Sequence, residues 1–284
     1  MTMKTILIPT ERQESMSSAL QTALLLARRF DSYIEGFALQ PGISQFLAVD
    51  MGGSIATESF RQESIEEAKK TKALFESFMQ EHSVPRSGEA ASGLSFSWLD
   101  DAPEGEDIVG SYGRVFDLIV LSRPDATSLG MHHRALESGL FESGRPILLS
   151  PPSPPKQIAT NVLIAWNGST EQTRAIAFAM PLLQQAERVM VLTIPGGAGV
   201  PGPSGEQLTR SLQRNGIPAT PFTVELDGRS TGETILATAA SQDCDLLIKG
   251  AYTQSRLREL IFGGATRHIR AYATLPVFLA HCSG

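Results

Sequence analysis

The sequence predicts an α/β fold of two tandem five-stranded doubly wound parallel-sheet domains, each with strand order 3-2-1-4-5. Short apolar segments alternate with amphipathic segments of helical periodicity, and apolar strands separated by helices are typical of a parallel sheet covered on both faces. The strand sequences of the first half recur in the second, and a proline-rich segment separates the two halves. Together these observations indicate one α/β unit that is present twice.

Three pairs of matching segments carry the repeat. They are ILIPTE at 6–11 with VLIAWN at 162–167, DLIVLS at 117–122 with DLLIKG at 245–250, and PILLS at 146–150 with PVFLA at 276–280. Between the copies, SPPSPPKQ at 150–157 contains four prolines, which suit neither a strand ladder nor a helix interior. We therefore predict one domain at 1–152 and a second at 158–284.

The elements follow the same order in both domains. In the first domain, strands are predicted near 4–9, 32–38, 95–99, 117–122 and 146–150. In the second, strands are predicted at 162–166, 188–194, 221–226, 245–249 and 277–280, and helices at 170–185, 205–215, 231–241 and 265–273. Ser169 or Thr170 is suited to cap the first of these helices, with Glu171 in its first turn. An apolar insertion at 41–60 lengthens the first domain and is suited to cover either its own domain or a partner.

Composition excludes several classes of protein. A formal net charge of -6 argues against nonspecific binding to nucleic acid or to an anionic membrane, because both require a basic face. No apolar segment approaches the roughly 18 residues that cross a bilayer, and Glu11 and Arg12 interrupt any signal peptide. The two cysteines, Cys244 and Cys282, suit a reducing compartment. We expect a cytoplasmic protein without nucleic-acid or membrane partners.

A candidate site lies where the strand order of the second domain reverses, between its first and fourth strands. The sequence there contains Trp166 to Ser169 after the first strand and Gly250 to Thr266 after the fourth. Glycines allow close backbone approach, and a helix N-terminus presents unpaired N–H groups that favour anions. Gly263 and Gly264 are thus suited to hold a phosphate, or else they start a helix that needs an unusual dihedral angle. The spacings of a Walker loop and of a dinucleotide fingerprint are absent.

The second domain resembles the universal stress protein family, and the whole chain resembles the tandem two-domain form of that family. ATP-binding members carry Gly-x2-Gly-x9-Gly-Ser/Thr after the fourth strand. Here Gly250, Thr253, nine residues QSRLRELIF, and then Gly263 and Gly264 reproduce that spacing. The resemblance implies a site for ATP, with Mg²⁺ as its companion ion. It implies these nucleotide-binding residues: Ala165, Trp166, Asn167, Ser169, Ile194, Gly250, Tyr252, Thr253, Gly263, Gly264, Ala265 and Thr266.

Three positions depart from the family pattern. Thr253 replaces a glycine, Gly264 replaces a hydroxyl residue for which Thr266 is a stand-in, and Asn167 replaces an Asp. A Cβ at a left-handed position costs about 1 kcal/mol or more, and a lost hydroxyl donor costs about 0.5–1.5 kcal/mol. A micromolar site would be weakened by roughly one to two decades. Three arginines either pair with phosphates or lie on a solvated helix face, and they are Arg256, Arg258 and Arg267.

The first domain lacks the motif. Ser122 and Asp125 stand where the second domain has Gly250 and Thr253, and an aspartate would repel phosphate. His133 and Arg134 replace the glycine pair, and His132 and His133 have no companions at metal-ligand spacing. We predict that this domain does not bind ATP in the manner of the family and that no metal site lies at these histidines.

The leading functional hypothesis is a stress-response regulatory protein whose second domain binds ATP. No residues form a convincing acid–base pair or triad, so we assign no catalytic residue and expect at most slow ATP hydrolysis. The alternative is an interaction or scaffold protein in which both sites have decayed. The family resemblance also implies that the two domains face each other through their last strands with pseudo-twofold symmetry. It implies further that two chains associate into a homodimer with four domains.

Overall fold

The structure is a computed structural model that describes residues 3–11, 16–40, 54–88, 93–123, 131–197, 199–251 and 264–281. The strands are β1 Thr5–Thr10, β2 Tyr33–Ala38, β3 Ser95–Trp98, β4 Leu118–Leu121, β5 Ile147–Leu149, β6 Asn161–Ala165, β7 Arg188–Thr193, β8 Ala219–Thr223, β9 Leu246–Gly250 and β10 Val277–Ala280. The helices within these residues are α1 Met16–Phe30, α2 Ser54–Glu81, α3 Asp107–Gly113, α4 Met131–Glu142, α5 Thr170–Leu183, α6 Gly205–Arg214, α7 Thr231–Ser241 and α8 Gly264–Tyr272.

All ten strands form one sheet, with the order β3-β2-β1-β4-β5-β10-β9-β6-β7-β8. Each half of the chain, β1 to β5 and β6 to β10, has the predicted 3-2-1-4-5 order, which confirms the α/β fold with a mostly parallel sheet. The halves meet where β10 runs antiparallel to β5, with Phe278 opposite Leu148. This pairing of last strands is the arrangement that a pseudo-twofold axis produces. The domain limits at 152 and 158 stay a prediction, and the structure places Leu149 at the end of β5 and Asn161 at the start of β6.

Alternate residues of the strands supply two buried apolar layers, one on each face of the sheet. Ile8 and Val120 of the first half share one layer with Ile164 of the second half and with Phe278, which is fully buried. The apolar core is therefore continuous between the halves. Among the described residues, no helix combines the length and apolar character that a membrane span requires.

The insertion at 41–60 falls partly outside the described residues, because these resume at Ser54 where α2 begins. Further along α2, Phe75 and Met79 are fully buried in the same layer as Phe96. A Cβ at Gly36 of β2 would lie 2.7 Å from the Phe75 ring, so this glycine allows the helix to pack closely on the strand. This part of the helix therefore covers its own half of the chain.

The prediction was least accurate at β8, which was expected at 221–226 and is found at Ala219–Thr223. The observed strand begins two residues before Pro221, so the proline lies inside it. In the described sheet β8 pairs with β7 alone and is one of the two edge strands, and an edge strand tolerates proline because one side of its backbone faces solvent.

Candidate nucleotide-binding site

The predicted switch points are present in both halves. β1 lies between β2 and β4, and β6 lies between β7 and β9, with all four pairs parallel. At a switch point the helices that follow the two strands leave toward opposite faces of the sheet, which opens a crevice at the carboxyl ends of the strands. The crevice of the second half is where the sequence placed the candidate site.

A cavity of about 180 Å³ lies at this place. The strand ends contribute Ala165, Leu192 and Lys249 to its walls, and α7 contributes Thr231 and Ile235. Its other lining residues come from the turn after β6, from the end of β7 and the segment up to α6, and from the first turn of α8. The cavity therefore joins an apolar floor of strand residues to a polar rim of loops and a helix N-terminus.

Five of the predicted site residues line the cavity: Ala165, Trp166, Asn167, Ile194 and Ala265. Ser169, Gly250, Gly264 and Thr266 lie nearby but are not among its lining residues. Tyr252, Thr253 and Gly263 are outside the described residues, as are Arg256 and Arg258. The binding roles of all these residues stay predictions.

The Trp166 side chain forms part of the wall and is itself mostly buried. Its indole Nε1 donates to the carbonyl oxygen of Pro203 at 2.8 Å, which fixes the ring to the segment that precedes α6. An indole ring that is buried and whose N–H group is hydrogen-bonded is held in one position, so it presents a fixed surface. The cavity wall therefore includes a mostly buried Trp166 ring that its hydrogen bond to Pro203 holds in place.

The turn after β6 is held against the segment that follows β7. The Asn167 carbonyl accepts from the Val200 amide at 2.9 Å, and Asn167 Oδ1 accepts from the Ser169 amide at 3.2 Å. Gly168 has φ +79°, and a Cβ there would lie 2.8 Å from the carbonyl oxygen of Val200. The glycine of the WNGS sequence is thus required by this contact between loops, which shapes the rim of the cavity.

Ser169 is the N-cap of α5, as predicted. Its side chain accepts from the Gln172 amide at 3.1 Å, and its backbone is extended, with φ -82° and ψ 160°. Its hydroxyl oxygen therefore serves the helix terminus.

Gly250 ends β9 and is in close contact with α5. Its amide donates to Gln172 Oε1 at 2.7 Å, and Gln172 Nε2 donates to the Ile248 carbonyl at 3.3 Å. Gln172 is fully buried, so both bonds are shielded from water. The Gly250 amide is consequently engaged within the protein and is not one of the donors that a phosphate would find here.

Lys249 is a site residue that the sequence analysis missed. The residue is buried, and Nζ donates to the carbonyl oxygen of Gly250 at 2.9 Å and to Thr266 Oγ1 at 3.0 Å. Burial lowers the pKa of its amine to about 8, although the negative charge of Glu171 acts in the opposite direction. Among the lining residues that the structure describes, Lys249 is the one ionisable side chain. The signal was a lysine inside an otherwise apolar strand, LLIKG.

The α8 helix starts at Gly264, where a Cβ would meet nothing within 4 Å. Gly264 is exposed and is not among the glycines with positive φ, so an unusual dihedral angle does not explain it. Thr266, in the same first turn, is buried and bonded to Lys249. The end of the helix that carries partial positive charge thus lies next to the lysine and to Ala265 in the cavity wall.

The first half carries charged side chains at the equivalent strand ends. Glu11, after β1, lies 3.1 Å from His132 of α4. Ser122 and Arg123, after β4, are both buried, and burial lowers the pKa of Arg123 to about 10. Asp125 lies outside the described residues. The first half therefore differs from the second in the chemistry of its switch point.

Comparison with known proteins agrees with this architecture. Residues 159–281 match the sequence profile of the universal stress protein family. A universal stress protein from Archaeoglobus fulgidus DSM 4304 superposes with a TM-score of 0.68 at 13% identity, over 99% of each chain. A putative universal stress protein from Pseudomonas aeruginosa UCBPP-PA14 gives a TM-score of 0.53 at 15% identity, over 98% of this chain and 93% of its own. No curated protein matches the sequence significantly.

At such low identity the two structures establish the fold, and the sequence profile establishes the family of the matched segment. The second half of this chain is therefore a universal stress protein domain, and the whole chain shares its fold with universal stress protein structures of similar length.

Proposed function

We propose that the second half of the chain binds an adenine nucleotide, ATP, and that the protein is a cytoplasmic stress-response regulator whose associations depend on nucleotide occupancy. The observation that carries the proposal is the cavity at the second switch point, whose described lining contains one lysine and no carboxylate. A crevice of this kind, next to a helix N-terminus, suits a ligand with an apolar ring and an anionic tail.

Different parts of the cavity wall suit the base and the phosphates of a nucleotide. Ala165, Leu192 and Ile235 provide apolar surface for a planar base, and Lys249 with the first turn of α8 provides positive potential. Pockets for whole ligands commonly measure about 300–1,000 Å³, so a cavity of about 180 Å³ holds part of a nucleotide. We infer that the base occupies the cavity and that the phosphates extend toward α8.

Mg²⁺ would accompany the phosphates. No group of three or more His, Cys, Asp or Glu residues within the described ranges is suited to hold a metal ion. Magnesium in nucleotide sites is commonly bound by the phosphates and by few protein ligands, so this lining is compatible with ATP–Mg.

One observation favours the alternative, a scaffold protein without a nucleotide. The Gly250 amide is already bonded to Gln172, which removes a donor that the family resemblance assigned to the ligand. The alternative predicts that nucleotide-free protein gives no response to ATP and retains its state of association.

Calorimetric titration of nucleotide-free protein with ATP–Mg distinguishes the two. We expect saturable binding with a Kd below about 1 mM, because the departures from the family pattern weaken a micromolar site by one to two decades. Ala265→Asp places a carboxylate in the cavity wall and should weaken binding at least about tenfold. Ser211→Asp adds the same charge at an exposed position of α6 and should leave binding unchanged.

A flat titration at millimolar ATP, from protein that is folded by circular dichroism, would overturn the nucleotide proposal. Sedimentation of the same samples measures the association of two chains that the family resemblance implies. If nucleotide regulates association, the sedimentation coefficient should change upon ATP binding in the wild type and not in Ala265→Asp.

A further inference from the structure

Among the residues that the structure describes, no acidic side chain forms an ion pair with the lysine in the cavity wall. Its two hydrogen-bond partners in these residues, the Gly250 carbonyl oxygen and Thr266 Oγ1, are both neutral. An ammonium group has three N–H donors, and these partners account for two of them. A buried charge without an opposite charge is costly, because burial removes its hydration.

Within the described ranges, the elements packed around Lys249 place no opposite charge in contact with its amine. Glu171 of α5 acts on Lys249 through its electric field, but no ion pair joins them among the described contacts. Glu233 of α7 accepts from the Ser230 amide at 2.7 Å, as part of the capping box of that helix. In α8, the charged and titratable side chains of Arg267, His268 and Arg270 contribute no negative charge.

The position of the amine makes its charge still less favourable when no anion is bound. Thr266 is in the first turn of α8, so Nζ lies close to the end of the helix that carries partial positive charge. Two positive groups that lie close together at the wall of one cavity repel each other until an anion binds beside them. Both groups then contribute to binding, and the cost of keeping the ammonium buried is reduced.

We propose that Lys249 is the counter-ion for an anionic group of the ligand, that it makes the cavity select a nucleotide over the uncharged nucleoside, and that it takes up a proton when the anion binds. This inference rests on the proposed nucleotide function and adds a residue that determines specificity. The proton comes from solvent and is added to the lone pair of Nζ. The ligand is chemically unchanged, and no other bond forms or breaks.

The strength of the coupling depends on pH. Burial lowers the pKa of Lys249 to about 8, so near pH 8 about half of the ligand-free molecules hold a neutral amine. If an anion returns the pKa toward its usual value of 10.5, binding near pH 8 takes up about half a proton. At pH 7 the uptake falls to about one tenth of a proton, because the amine is already charged.

Nuclear magnetic resonance of ¹³C-labelled lysine tests this directly in the intact protein. The chain has six lysines, and Lys249→Met or Lys249→Arg identifies the Lys249 Cε signal by its loss. The signal is titrated with pH for the free protein, with saturating ATP and with pyrophosphate. We expect the pKa of Lys249 to rise by at least one unit with either anion and to stay unchanged with adenosine.

Binding selectivity provides the second measurement. Lys249→Met should reduce the preference for ATP over adenosine at least about tenfold, because it removes a charge-assisted contact to the anion alone. Lys156→Met, the same substitution at an exposed position before β6, should leave that preference unchanged. The titration of the wild type remains informative even if Lys249→Met does not fold.

The outcomes separate this inference from the proposed function. If ATP binds and the pKa of Lys249 does not change, the counter-ion role is wrong and the nucleotide site stands. If pyrophosphate raises the pKa but ATP does not bind, the anion site stands and the nucleotide function is wrong. If neither anion affects Lys249, the inference is overturned.

Discussion

The Gly250 amide donates to Gln172 Oε1 at 2.7 Å, and a Cβ at Gly250 would lie 2.4 Å from the Gln172 backbone nitrogen. These two residues join the carboxyl end of β9 to the first turn of α5. The sequence suggested that Gly250 is a glycine so that a ligand can approach the backbone. In the structure, the neighbour that requires a glycine is the helix.

This contact predicts that Gly250→Ala destabilises the protein. The Cβ would overlap helix backbone, which cannot move aside as a flexible side chain does, and such overpacking costs about 1–3 kcal/mol. Urea denaturation followed by circular dichroism measures the loss. Gly264→Ala is the matched control, because a Cβ there meets nothing within 4 Å, and it should change the free energy of unfolding by less than about 0.5 kcal/mol. Equal effects of the two substitutions would show that the Gly250 contact is not tight.

The strands inside the sheet were predictable from the sequence because buried parallel strands are apolar along their whole length. The predicted start of the edge strand β8 was wrong by two residues, because this strand contains exposed residues and Pro221 and has no continuous apolar sequence. The switch point followed from the strand order, and five of the proposed residues line its cavity.

The tertiary contacts that explain individual residues of the site were less predictable from the sequence. Gly250 and Gln172 are 78 positions apart, and no local pattern shows that the glycine makes room for the glutamine. Lys249 lies in a buried strand, and its place in a cavity wall depends on where α7 and α8 pack. Contacts of this kind are properties of the tertiary structure.

The buried lysine predicts a stability that depends on pH. Because the folded-state pKa of Lys249, about 8, is below its usual 10.5, folding favours the neutral amine. The stabilisation is fully present above pH 10.5 and is lost as the pH falls through 8. A difference of this size corresponds to roughly 3 kcal/mol at most. Lys249→Met should therefore be more stable than the wild type at pH 7, and its advantage should shrink as the pH approaches 10.5.

Urea denaturation of the wild type and of Lys249→Met at a series of pH values tests this. The difference between their free energies of unfolding does not include the effects of groups that titrate equally in both proteins. One such group is Tyr33, whose pKa burial raises to about 12. Lys156→Met is the control and should show a constant difference from the wild type, since the Lys156 side chain is exposed. An advantage of Lys249→Met that does not vary with pH would mean that the amine is not the cause.

The shared sheet predicts that the two halves unfold together. The chain has two tryptophans, Trp98 at the end of β3 and Trp166 directly after β6, so each half contains one fluorescent reporter. Trp166→Phe leaves the reporter of the first half, and Trp98→Phe leaves that of the second. Because Phe278 is fully buried in an apolar layer that both halves share, we expect the fluorescence midpoint of each variant to coincide with its own circular dichroism midpoint.

Phe278→Ala, introduced into each single-tryptophan protein, makes the test sharper. Removal of a fully buried phenylalanine costs about 3–5 kcal/mol, and the loss should lower the stability reported by Trp98 and by Trp166 to the same extent. Tyr272→Ala, which removes an exposed aromatic ring from α8, should affect both reporters little. If the substitution at Phe278 lowers only the Trp166 transition, the antiparallel pairing of β5 with β10 does not couple the halves, and each unfolds on its own core.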